Sequence, residues 1–176
     1  DMRLENFGLR WAKPDPAVVM PFPDGRFFVG WRDQNRMREE LARNFSARDA
    51  EAYPKIFAFF DDFARRLQIS LFEPPPSIRE IAARLRDEAD EADFATVFFG
   101  SIRHFLEQRL ETEEVRTAIA MLSMAGAVSP STPGTPLALM QRPMSQHSNR
   151  VTGAHDPRNQ PMRGSTGLPY GGMGAI

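Results

Sequence analysis

Apolar residues along the chain first fall in short runs and then settle into a helical spacing. Leu4, Phe7, Leu9 and Trp11 read as a strand or as a loop laid across a core. Residues 17–20 are apolar, Pro21-Phe22-Pro23-Asp24-Gly25 carries turn chemistry and residues 26–31 are aromatic-rich, so a β-hairpin is predicted over 17–31. Pro21 and Pro23 confine its first strand to an edge or to an ending near Met20, because proline cannot donate to a ladder. Such a hairpin is barely stable alone in water and must pack on something else.

From residue 33 the spacing is helical. Met37, Leu41 and Phe45 lie four apart over a first amphipathic helix. Ser46 with Asp49 resembles a capping box and opens a second, whose stripe is Tyr53, Phe57, Phe60, Ala64, Leu67 and Leu71. Pro54 should kink this helix or mark its first turn, and Glu73-Pro74-Pro75-Pro76 should end it. Ser77 and Glu80 form a full capping box for a third helix with Ile81, Leu85 and Ala89 inward. The acidic run 90–93 reads as a solvated junction. Phe94, Val97, Phe98, Ile102, Phe105, Leu106 and Leu110 then define the broad face of a deeply buried helix. A last long helix starts near Thr112, carries Val115, Ile119, Met121, Leu122 and Met124, and ends at Gly126. Seven of the fifteen prolines and eight of the twelve glycines lie beyond 125, so this part is read as loops. Its exception is a short helix over 137–140 with Thr135 as N-cap and Pro136 at the first helical position. The fold class expected is α+β, predominantly helical with a small antiparallel sheet: a hairpin at 17–31, a helical body at 33–124, and Pro/Gly-rich loops and a junction at 125–176.

Composition narrows the function classes. Twenty-two basic against twenty-three acidic residues leave a net charge of −1, which provides no general field for nucleic acid, and a nucleic-acid role is disfavoured. The chain of 176 residues has no cysteine, so disulfides, thiolate metal sites and dithiol chemistry are excluded within it, which suits a cytoplasmic protein. No apolar run approaches the roughly 20 residues of a transmembrane helix. His104, His147 and His155 lack metal-ligand spacing with each other or with carboxylates, so no metal is expected, and His104 reads as a structural residue of its helix.

Two features remain for binding. Phe59 with Phe60, and Phe98 with Phe99, cannot all enter one simple core, so these four are the candidates for lining an apolar pocket or facing another domain; core packing is the plain alternative. Gly167 to Gly174 holds four glycines, more than one tight turn needs, and Met173, Ala175 and Ile176 look like the first turn of a helix. A chain stopping there is expected to be a piece of a longer protein. Gly172-Met-Gly174 matches only the start of a dinucleotide fingerprint, with no apolar strand before it.

The order of motifs carries a resemblance. A Pro-Asp-Gly hairpin, Phe-rich helices, Phe105-Leu with residues 109–115, the Ser129-Pro-Ser-Thr-Pro-Gly loop and Gly167-Leu-Pro-Tyr-Gly-Gly-Met-Gly-Ala-Ile resemble the middle of phytoene dehydrogenase-related FAD-dependent oxidoreductases, in the flavin amine oxidase and carotenoid desaturase group. The resemblance implies a substrate-binding domain beside a flanking FAD-binding domain whose segments are absent here. It also implies an apolar small-molecule substrate, a carotenoid-like desaturation or dehydrogenation, and room for peripheral membrane contact. It places Gly171, Gly172 and Met173 beside the flavin ring of the intact enzyme; the residues alone also fit a helix-start turn. The alternative from a different class is a non-enzymatic helical module that binds an apolar ligand or a protein partner.

Overall fold

The computed structural model describes residues 6, 8, 10–12, 14–69, 74–123, 128–141, 143–144 and 168–170. The predicted hairpin forms from β2 (Val18–Pro21) and β3 (Phe27–Gly30), antiparallel, with Val19 opposite Val29 and Pro21 opposite Phe27. At its turn the Arg26 backbone N–H donates to Asp24 Oδ1 at 3.0 Å, and Gly25 takes φ +85°, a conformation that only glycine adopts without strain. Before the hairpin, β1 (Trp11–Ala12) pairs antiparallel with β4 (Leu168–Pro169), which brings two segments from far apart in sequence side by side.

Six helices make the body among the described residues. α1 (Gln34–Asn44) is capped by Asp33, and α2 (Ala47–Leu67) by Ser46, whose hydroxyl accepts from the backbone N–H groups of Arg48 and Asp49. Pro54 sits well inside α2, which runs through it. The helix stops earlier than the proline run demands, because Gln68 turns left-handed at φ 49° and closes on Ala64; Leu71 lies outside the described residues. α3 (Ile78–Ala82) has the predicted reciprocal capping box of Ser77 and Glu80.

Two predicted helices divide differently. The stripe Ile81, Leu85, Ala89 is broken after α3, since Asp87 caps a new helix, α4 (Glu88–Phe98), leaving Ala89 exposed. The face from Phe94 to Leu110 is not one helix either. Gly100 and Ser101 interrupt it, and α5 (Ile102–Glu107) starts afresh with Ser101 Oγ accepting from His104 N–H. α6 (Glu113–Ser123) and a 3₁₀ helix (Thr135–Met140) complete the body, with Met124 and Gly126 outside the described residues.

The core gathers Phe28, Met37, Phe60, Phe63, Phe105 and Ile119, each nearly inaccessible, so hairpin, α1, α2, α5 and α6 share one apolar interior. Each such side chain contributes about 1.5–3 kcal/mol by its burial. The fold is α+β and mostly helical, with small antiparallel ladders. Among the described residues no helix is long and apolar enough to cross a membrane.

Candidate docking surface

At the junction of α4 and α5 apolar side chains turn outward, as Ile78 does on α3 and Val19 and Phe27 do on the hairpin. A Cβ on Gly100 would sit 2.4 Å from the Thr96 carbonyl oxygen, so the chain can leave α4 along this path only with glycine there. The three N–H groups that open α5 are all satisfied locally. Ile102 N–H donates to Thr135 Oγ1 at 2.9 Å, Arg103 N–H to the Pro130 carbonyl at 3.0 Å, and His104 N–H to Ser101 Oγ at 3.2 Å. The Gly134 N–H returns to the Gly100 carbonyl at 2.7 Å. Thr135 is therefore not the N-cap of its own 3₁₀ helix, a position that Gly134 takes at φ +81°; its hydroxyl serves α5 instead.

With the backbone thus closed, side chains are what this junction offers. Phe99 is 70% exposed, and Val128 and Leu137 beside the same loop are exposed as well. Behind Phe99, Phe94 meets it edge-on at 5.7 Å and stacks on Phe98 at 4.4 Å, so the exposed ring is backed by rings rather than free to swing into the core. α6 packs on the 3₁₀ helix and adds exposed Met121 and Leu122 from its last turn.

The acidic run 90–93 is not a solvated junction but part of α4, and Asp90 is only 2% exposed. It accepts from Arg86 Nε and from the Arg86 backbone N–H, both at 2.9 Å, and pairs with Arg66. The hydrogen bonds from Arg86 hold its carboxyl well below the usual carboxylate range, against the opposing effect of burial. Arg66 also reaches Asp93 at 2.7 Å, while its Nε lies 3.0 Å from Asp62 as an ion pair without hydrogen-bond alignment. Burial pulls the Arg66 guanidinium down, but its bonds to Asp93 and Asp90 outweigh this and leave it raised.

The four candidate phenylalanines separate into two groups. Phe60 lies wholly in the core; Phe59 is half-buried, edge-on to Phe60 at 5.2 Å and stacked on Phe63. Phe98 and Phe99 belong to the α4 group just described. Gly171, Gly172 and Met173 lie outside the described residues. Sequence reasoning missed Arg109, whose guanidinium lies 3.7 Å over Phe105 and 5.7 Å from Phe59. Its signal was an arginine four residues after an inward phenylalanine. A recess of about 340 Å³ between the end of α2 and α3 is lined by Gln68, the three prolines 74–76 and Arg84, and Arg84 is occupied there by the Leu67 and Gln68 carbonyls. Among the described residues no cluster of histidine and carboxylate side chains is arranged to hold a metal.

No protein-family profile matches the chain, and no solved structure matches it. The chain is similar to V-type ATP synthase alpha chains of Anaeromyxobacter sp. (strain K) and of two Anaeromyxobacter dehalogenans strains, 2CP-1 and 2CP-C. Each is 32% identical over 114 residues, which is 62% of this chain and 19% of the relative, so the chain spans about a fifth of the length of the curated relatives it matches. These similarities correct the resemblance to phytoene dehydrogenase-related oxidoreductases, since the relatives bear another name and no oxidoreductase or flavoprotein profile accompanies them. The physical reason is that the motifs behind it serve local backbone needs. Pro-Asp-Gly makes a hairpin turn, Ser and Thr close helix ends, and glycines allow positive φ in any fold that needs them. The expectation of FAD and of a flanking FAD-binding domain rested on that resemblance and loses its support.

Proposed function

We propose that this chain is a non-enzymatic helical module that docks a protein partner through the apolar end formed by Phe99, Val128 and Leu137. The observation that carries this reading is Phe99, a large ring 70% exposed on a backing of Phe94 and Phe98. An exposed, pre-positioned aromatic is the kind of anchor that supplies much of the energy of a protein interface. An enclosed apolar ligand would need a concavity lined by such rings, whereas Phe99 projects. An anionic membrane surface is disfavoured by the exposed Glu88 and Glu91 in the first turn of α4, the helix that bears Phe99 at its end. The relatives are by name alpha chains of an ATP synthase, one kind of chain in a larger enzyme, and this supports a docking role. The cysteine-free sequence supports a cytoplasmic location.

The test is Phe99→Asp in the protein expressed in its own cells and sized by gel filtration of the extract. The variant should elute as a free chain where the natural protein elutes in a larger assembly, while its own stability changes by no more than about 0.5 kcal/mol, as for a surface substitution. Identical elution of the two proteins would remove Phe99 from any interface.

A further inference from the structure

We propose that Arg109, with Phe59 and Phe105, forms a binding site for a small apolar carboxylate, whose head pairs with the guanidinium edge and whose body lies along Phe59. This proposal does not depend on the docking reading. One face of the guanidinium is desolvated by the Phe105 ring at 3.7 Å, with Phe59 at 5.7 Å. Nη1 donates to the Phe105 carbonyl at 3.0 Å and approaches Gln108 Oε1 at 3.5 Å. Nε and Nη2 have no partner among the described residues. Asp93 exerts its attraction only from a distance, and its Oδ2 is already held by Arg66 at 2.7 Å.

This sets Arg109 apart from arginines that have found their anion. Arg26, Arg66, Arg86 and Arg103 each hold a carboxylate and are raised, whereas burial lowers Arg109 against the weaker attraction of Asp93, with no carboxylate bonded to it among the described residues. A half-buried guanidinium with one face on an aromatic ring is less well hydrated than a free one, so a carboxylate on its open edge replaces weak hydration with charge-assisted hydrogen bonds. The free edge offers two parallel N–H donors, the fork that a planar carboxylate matches with its two oxygens. A phosphate suits the place less well, because one guanidinium cannot neutralise a dianion and phenyl rings cannot hydrate it. The half-buried ring of Phe59 beside the cation favours a ligand with an apolar body.

Phenylacetate is the probe and phenylacetamide, nearly the same shape without the charge, is the control. Both are titrated to about 10 mM, a range suited to a ligand of so few atoms, into the isotopically labelled chain 1–176 observed by NMR. Phenylacetate should shift the Arg109 side-chain signal and the Phe59 and Phe105 ring signals saturably, and phenylacetamide should not. Arg109→Gln should weaken phenylacetate binding about tenfold or more, as loss of charge-assisted hydrogen bonds implies. Arg109→Lys, which keeps the charge but not the fork, should fall between the two. If the Gln variant loses its dispersed spectrum, the Lys variant decides. Equal shifts from acid and amide, shifts confined to other residues, or full-strength binding by the Lys variant would each overturn the proposal.

Discussion

Asp90 is a carboxylate inside the protein, and its partners decide how the fold responds to acid. Arg86 and Arg66 hold its pKa below that of an unfolded aspartate, near 3.9, so its contribution to stability is complete above that value and is lost as pH falls through the lower folded value. Asp24, Glu80 and Glu107 are lowered in the same direction by Arg26, Ser77 and Arg103 respectively. Stability should therefore decline on acidification below about pH 5, first through Glu80 and Glu107 and then through Asp24 and Asp90. Asp90→Asn should melt at a lower temperature at pH 7, and the gap between variant and natural protein should narrow below about pH 4. Melting curves recorded at several pH values test this, and a gap independent of pH would remove Asp90 as its source. Little of this was legible beforehand. The run 90–93 looks solvated because local sequence cannot announce an arginine 24 residues earlier. Asp49 is a similar case. It reads as part of a local cap on α2, yet its buried carboxylate accepts from the Glu111 and Thr112 backbone N–H groups at 2.8 and 3.0 Å, tying the start of α2 to the start of α6.

Some helix starts were readable, because a cap is written in adjacent residues, whereas Asp87 and Ser101 open helices that the apolar spacing did not separate. Ser46 and the Ser77–Glu80 pair cap the helices predicted to start at them. Breaks were harder. Apolar spacing carries on from Phe94 to Leu110 although the chain bends at Gly100, because α4 and α5 both contribute to the same interior and the periodicity does not register the turn between them. The bend makes a prediction of its own. Gly100→Ala should cost about 2 kcal/mol in urea denaturation, since the added methyl would have to move the Thr96 carbonyl 2.4 Å away. A cost below about 0.5 kcal/mol would mean that the α4 end relaxes freely and that Phe99 is not rigidly presented.

The whole molecule couples an ordinary interior to an end where Phe99 and its neighbours stand outward. The hairpin, α1, α2, α5 and α6 bury their stripes in one core, while the loop through Pro130 and Gly134 closes the backbone of the α4–α5 junction and leaves Phe99, Val128 and Leu137 outward. That Phe98 and Phe99 form an adjacent pair was visible in the sequence; that Phe99 alone of the four candidates projects was not, because it depends on where α4 ends. The order of motifs pointed to an oxidoreductase that the similarities to ATP synthase chains correct, since turns and caps report backbone geometry and not chemistry. The central claim is that a protein covers this end, and hydroxyl-radical footprinting of Phe99 tests it most directly. Ile78 on α3, 78% exposed, serves as the internal reference. In the chain alone both residues should be oxidised readily, and in the natively isolated assembly Phe99 should be protected while Ile78 is labelled as before. Equal labelling of Phe99 in the free chain and in the assembly would contradict the account.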